Sequence, residues 1–307
     1  MIRPLRFSRE LLKSQNFIIL LFMSIHSLCK LIVLYSLCSI LQLTLFPTLD
    51  VQVLLRADYN TSQVQALRRF FTVLSAYFPF DNENPRRFVR RMAQWFHDGR
   101  NVTDAKNLHA IMRAGSEGFV PPAQPWRACG GSEKHLRGYP CGLWLLFHVL
   151  TVSEYSKPRP DSAVADYHSV LFAMRDYIAN FFGCHACATH FAEMSVDMPH
   201  SLRHPNSSVM WLWSAHNKVN DRLKGDATED PIYPKVQFPT YNQCPDCHKS
   251  GDEFDQQAVL KFLVNHYHKA NIIRNGAAAV KLHSTAIIAP LIAFIFVIRS
   301  LFATNCV

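Results

Sequence analysis

The sequence predicts an all-α protein: a four-helix bundle with a fifth short helix, preceded by a smaller helical module. Two observations carry that prediction. Apolar residues recur at three-to-four spacing through most of the chain after residue 60, and no alternating strand pattern competes over 61–115. The 307 residues include only 11 glycines, with neither Gly-x-Gly-x-x-Gly nor a P-loop, which argues against a Rossmann or nucleoside-triphosphate fold. The length suits one or two domains with a sizeable core. A formal charge of +9 raises nucleic acid as a partner, but no Lys/Arg run is long enough to form a dedicated patch. The densest basic cluster, Arg86-Arg87 with Arg90-Arg91, falls at helical spacing beside Phe88, Met92 and Trp95. It reads as a solvated helix face, and no nucleic-acid partner is expected.

Taken in order, residues 1–13 carry Arg3, Arg6, Arg9 and Lys13 against a single acid, Glu10. The apolar run 17–46, broken by His26 and Lys30, exceeds the roughly 20 residues that span a bilayer. Residues 1–49 are therefore expected to be a signal sequence or signal anchor, with the basic end cytosolic and the rest lumenal. Val64, Leu67, Phe70, Phe71 and Leu74 then mark a helix from Thr61 that Pro79 stops. Pro85 opens a second helix to about His97, and Thr103 caps a third that ends near Ala114. Together these make a helical module over 50–120.

The main domain is expected over 121–270. Its helices are Tyr139–Val152, Ser162–Phe182, one starting near Cys184, one capped by Ser207 and running to Leu223, and Asp255–His268. Residues 230–239 are proline-rich and extended. The run 284–303, apolar apart from Arg299, is a candidate transmembrane helix, so a membrane is an expected partner.

Six of the nine cysteines lie between Cys129 and Cys247 as three close pairs, Cys129/Cys141, Cys184/Cys187 and Cys244/Cys247. Cys29, Cys38 and Cys306 receive no role. Asn60, Asn101 and Asn206 begin sequons, which would accept glycans in a lumen.

The stretch FFGCHACATHF at 181–191 carries the sharpest chemistry. A Cys-x-x-Cys at a helix N-terminus has its thiolate stabilised by the helix dipole, and a thiolate attacks disulfides where a thiol does not. His190 lies on the face of Cys187. Half a zinc site and a plain structural disulfide are the alternatives at this point. A Cys₄ zinc site would need Cys184/Cys187 and Cys244/Cys247, which stand much further apart than the about 15–20 residues of zinc ribbons. No metal is expected.

In WLWSAHNKVN at 211–220, Trp213, His216, Asn217 and Asn220 share one helical face. An aromatic beside an imidazole and two amides suits a flat heterocycle such as adenine; a polar network between helices accounts for it equally well. Trp144 and His148 repeat the theme four residues apart, and Arg137, Lys235 and Arg222 are candidates to balance a phosphate-bearing ligand.

The segment 126–247 resembles the FAD-binding Erv/ALR sulfhydryl oxidase domain in its quiescin sulfhydryl oxidase form. The matching motifs are RGYPCGLWLLFH, FFGCHACATHF, WLWSAHNKVN and YPKVQFP followed by CPDC, in the family's order. Residues 61–115 resemble the degenerate helical half that precedes that domain. The resemblance implies an Erv/ALR-like helical bundle around FAD, with protein or small-molecule dithiols as electron donors and dioxygen as acceptor, giving hydrogen peroxide. It implies Cys184 and Cys187 as the catalytic pair, with Cys187 nearer the flavin and Cys184 exchanging with incoming disulfides. Arg137, Trp144, His148, His190, Lys235 and Phe238 would contact FAD. So would Trp213, Ser214, Ala215, His216, Asn217, Lys218, Val219 and Asn220. Cys129–Cys141 would be a structural disulfide, Cys244–Cys247 an accessory one, and the secretory pathway the location. The chain departs from the pattern twice. Phe238 stands where the family usually has Trp, and no thioredoxin-type Cys-x-x-Cys precedes Cys184. A thioredoxin-like carrier acting in trans is therefore an expected partner. The competing reading is a zinc- or disulfide-stapled helical adaptor without catalysis.

Overall fold

A capping box starts the first described helix, α1 (Thr61–Tyr77). The Asn60 side chain accepts from the Gln63 N–H at 2.9 Å, and Gln63 Oε1 accepts from the Asn60 N–H at 3.0 Å. The structure, a computed structural model, describes residues 58–80, 83–98, 108, 110–111, 129–158, 167–250, 253–268 and 271. All of these fall within one compact unit, 39–272. The apolar segments 1–49 and 284–303, most of the helix expected over 103–114, and the boundary expected near residue 120 lie outside the described residues. Among the described residues no helix is long and apolar enough to cross a membrane.

α1 turns Leu67, Phe70, Phe71 and Leu74 inward. Phe71 stacks on Phe96 of α2 (Glu83–His97), ring centroids 5.5 Å apart. The outward edge of α2 exposes Arg87, Arg90 and Arg91, the solvated face that its pattern predicts. Arg86 is half-buried instead, donating to the Phe80 carbonyl at 2.9 Å and pairing with Glu83.

The bundle proper is built on α3 (Gly138–Tyr155), whose Leu146, Phe147, Val149 and Leu150 are fully buried. A helix so apolar on nearly every side belongs in the middle of a core. Its first turn is pinned by the Cys129–Cys141 disulfide and by the Gly138 N–H donating to the Cys129 carbonyl at 2.9 Å. Near its end the buried carboxylate of Glu154 accepts the N–H groups of Ser169 and Val170. Those are the free donors at the start of α4 (Ser169–Phe181). The expected start at Ser162 is therefore corrected where the chain is described. Tyr167 and His168 form a turn, and His168 spends its Nδ1 on Ser208 Oγ at 2.8 Å rather than continuing the helix. Phe70 of α1 stacks on Tyr177 of α4 at 4.5 Å and meets Phe147 of α3 edge-on, which seats α1 against the bundle.

Next come α5 (His185–Met194), a single turn α6 (Met198–Ser201) and α7 (Ser207–Leu223). The expected cap of α7 is also corrected: Asn206 is the N-cap, and the Ser207 hydroxyl accepts from the His204 N–H instead. After α7 an extended strap runs through the cis Phe238–Pro239 bond to a 3₁₀ turn at Pro245–Cys247. α8 (Gln256–His266) follows, capped by Asp255, whose Oδ1 accepts the N–H groups of Gln257 and Ala258.

Candidate active site

Cys184 is the N-cap of α5, and the sequence explains why a helix begins there. Phe182 leaves α4 in extended backbone, Gly183 follows, and His185 through Met194 contain no helix breaker. Cys184 is joined to Cys187 with Cα atoms 5.3 Å apart, and both residues are exposed. The Cys184 sulfur accepts the Cys187 N–H at 3.3 Å, so a free amide of the first turn points at the sulfur that would carry charge after reduction.

One turn beyond Cys187 on the same stripe stands Phe191, which is buried. Its ring meets Trp144 edge-on at 6.5 Å and Trp211 at 6.0 Å. Trp144 lies parallel to His216 at 4.1 Å, and His216 Nδ1 is 3.0 Å from His148 Nε2. The His148 Nδ1 atom is buried and has no hydrogen-bond partner among the described residues. Burial, reinforced by His216 and His266, drives the His148 imidazole well below its ordinary value. Burial, with Lys235 nearby, lowers His216 to about 3, and burial lowers His266 to about 4. All three rings are neutral at physiological pH.

The polar face of α7 divides into two jobs. His216 joins Trp144 and His148, whereas Trp213, Asn217 and Asn220 grip the strap. Trp213 Nε1 and Asn217 Nδ2 donate to the Phe238 carbonyl at 2.6 and 2.8 Å, Asn217 Oδ1 accepts the Phe238 N–H at 2.9 Å, and Asn220 donates to the Val236 carbonyl at 3.0 Å. The polar-network reading thus describes these three, and they place Lys235 and Phe238. Ser214 and Val219 are half-buried, Ala215 is buried, and Lys218 points into solvent.

A basic corner lies where the strap meets the loop before α3. Arg137, at φ 63°, sets its guanidinium over the Tyr233 ring at 4.2 Å. Lys235 is half-buried beside it, and burial together with the Arg137 charge lowers its ammonium from the usual value. The buried carboxylate of Asp230 holds the corner together, accepting from the Ser132 N–H at 2.7 Å, its hydroxyl at 2.8 Å and the Ile232 N–H at 3.0 Å. Arg222 is exposed near Asp226.

The structure therefore assembles Trp144, His148 and His216 as one cluster, and Arg137 and Lys235 as another. It does not bring His190 to either. That side chain is exposed, with Nδ1 3.4 Å from Glu193. Phe191, Trp211 and Tyr267 were missed by sequence reasoning. Phe191 and Trp211 sit inside singled-out motifs but look like ordinary core residues, and Tyr267 ends a helix whose pattern signals only burial. Cys129–Cys141, Cys184–Cys187 and Cys244–Cys247 are all disulfides, so none of these six offers a thiolate to a metal. A groove of about 240 Å³ lies between α4 and α5, lined by Ala188, Ala192 and Val196 with Arg175 at its rim. Ala188 and Ala192 continue the helical stripe that Cys184 starts.

Residues 141–239 match the model of the Erv1 / Alr family. Sulfhydryl oxidase 1 of Cavia porcellus is 39% identical over 219 residues, covering 69% of this chain and 36% of that protein. Sulfhydryl oxidase 2 of Homo sapiens is 34% identical, covering 75% of this chain and 34% of that one. A solved sulfhydryl oxidase fragment of human QSOX1 superposes with a TM-score of 0.70 at 35% identity, over 76% of this chain and 96% of the fragment. The chain spans about a third of the length of the curated relatives it matches.

Proposed function

Because the chain belongs to the Erv1/Alr family, in the sulfhydryl oxidase form, we propose that it is an FAD-linked thiol oxidase. The reaction is 2 R–SH + O₂ → R–S–S–R + H₂O₂. The observation that carries this reading is the exposed Cys184–Cys187 disulfide at a helix N-terminus, one turn from Phe191, whose ring meets the Trp144–His216–His148 cluster at Trp144. The site fits a flavin dinucleotide on three grounds. The parallel Trp144 and His216 rings offer flat faces, the buried His148 Nδ1 lacks a partner, and Arg137 with Lys235 supplies two cations for a pyrophosphate. Trp213, Asn217 and Asn220 serve by holding the strap that carries Lys235 and Phe238. FAD, when bound, would supply acceptance of an electron pair from the reduced cysteines and its delivery to dioxygen.

The protein's own residues perform the disulfide exchange. A substrate thiolate attacks the Cys184 sulfur, which breaks the Cys184–Cys187 bond and releases Cys187 as thiolate. A second substrate thiolate then attacks the substrate sulfur of that mixed disulfide, forming the product disulfide and releasing Cys184. The electron pair now rests on Cys184 and Cys187, and the two thiol protons leave with the peroxide. Helix polarity stabilises both leaving thiolates. The groove along Ala188 and Ala192, one and two turns past Cys184 on the same helix, would seat the polypeptide that flanks a substrate cysteine. His190 and Lys218, being exposed, are assigned no more than the rim.

Three disulfides support an oxidising compartment, and the secretory pathway is the proposed location, with 1–49 and 284–303 as the proposed membrane-associated segments. Oxygen uptake with dithiothreitol tests the function. One peroxide per dioxygen is expected from a yellow protein, and a colourless protein that consumes no oxygen would refute the proposal.

A further inference from the structure

We propose that Tyr267, just past the end of α8, is a positioning residue that locks the His148 imidazole in the one orientation that presents Nδ1 to the cofactor. This rests on the flavin reading above, which places the partner of that buried nitrogen in FAD. Nothing in the sequence motifs or the family match, which ends at residue 239, assigns α8 a part in the site.

The geometry is specific. Tyr267 is 4% exposed, and its ring lies parallel to His148, 6° apart in plane and 5.0 Å between centroids. On the other side His148 Nε2 is held 3.0 Å from His216 Nδ1. Flipping the imidazole would exchange Nδ1 for a carbon, and the ring would have to pass through an edge-on position to do so. The Tyr267 face occupies the space that such a motion sweeps. Tyr267 is itself fixed: its N–H donates to the Leu263 carbonyl at 2.9 Å, and His266 packs edge-on against it at 4.7 Å. The helix that delivers it is anchored at its other end, where the Asp255 N–H donates to the Cys247 carbonyl at 2.8 Å. An aromatic face of this kind works by shape and area, so the phenol hydroxyl is dispensable to it.

The test measures the rate of FAD release from the purified full-length holoprotein, together with the flavin absorbance envelope. Tyr267→Met keeps a long, flexible apolar side chain but loses the flat face, and should release FAD at least tenfold faster with an altered envelope. Tyr267→Phe should restore both to within about twofold of the native protein, as expected for a purely aromatic contact. In a His148→Ala background, Tyr267→Met should add nothing, because the two act through one ring. Multiplicative effects in the double variant, or native release from Tyr267→Met, would overturn the proposal. Should Tyr267→Met fail to fold, nuclear Overhauser contacts of the His148 ring protons in the native holoprotein decide instead: contacts of a single ring orientation, with Tyr267 on its face, support the lock, and contacts of both flipped orientations overturn it. Native FAD release from His148→Ala alone would point to failure of the flavin-contact reading rather than of the Tyr267 clamp.

Discussion

Replacing Cys184 by Ser and replacing Cys187 by Ser should each abolish dithiol oxidation, but the two proteins should differ in colour. Cys187 stands one turn from Phe191, whose ring reaches Trp144, whereas Cys184 stands two turns from it. A lone Cys187 thiolate in Cys184→Ser should therefore add a long-wavelength absorbance band. A band in Cys187→Ser instead would reverse the assignment of the two sulfurs. The histidines give a second prediction at this scale. His148 is buried and His216 and His266 are half-buried, and desolvation holds all three below the ordinary 6.5, His216 at about 3 and His266 at about 4. The unfolded chain binds more protons than the folded one between those values, so stability rises with pH across that window. This contribution is complete above pH 6.5 and is lost progressively as pH falls toward 3. Urea midpoints should drop on acidification below pH 6.5, and His216→Gln should flatten the drop. Equal slopes in the two proteins would contradict the assignment of His216 as a neutral ring.

Among the elements, the strap depends on α7 more than on its own backbone. Asn217→Ala leaves the Phe238 N–H without its partner and removes one of two donors from the Phe238 carbonyl, a cost of about 1–3 kcal/mol where the groups are buried. A native melting temperature and native FAD retention in that variant would count against the strap as a wall of the site. The Cys244–Cys247 turn anchors α8, and its reading as an accessory disulfide gives a sharp contrast. Cys244→Ala with Cys247→Ala should leave dithiothreitol turnover per bound flavin within about twofold. Loss of that turnover, with flavin retained, would make this pair an entry point for electrons.

Most of the helices were legible because burial alone sets their period: Thr61, His97, Leu223 and Asp255 mark boundaries that sequence signals and structure share to within a residue. The start of α4 was not, because its cap is a carboxylate from another helix, Glu154, which no local pattern reveals. The division of labour on α7 was hidden for the same reason. Helical periodicity puts Trp213, His216, Asn217 and Asn220 together, but only the tertiary course of the strap separates His216 from the others. Tyr267 was invisible as a site residue, since an aromatic after an amphipathic helix is ordinary core.

At the scale of the whole molecule, the question is how electrons reach Cys184 from a protein. We propose that a thioredoxin-like carrier supplies them. A tethered donor reaches about the millimolar range of effective concentration, so a carrier added at micromolar level to residues 1–307 should accelerate oxidation of reduced unfolded protein only in part. Equal rates with and without carrier would show that the Cys184–Cys187 pair accepts protein thiols directly. The central claim, that Cys184–Cys187 passes electron pairs to a flavin held by the Trp144–His148–His216 cluster, is tested most directly by an anaerobic dithiothreitol titration followed by flavin absorbance. The account predicts bleaching of one flavin per chain in the native protein, with recovery on admitting oxygen and no rapid bleaching in Cys187→Ser. Equally fast bleaching in native and Cys187→Ser protein would contradict it.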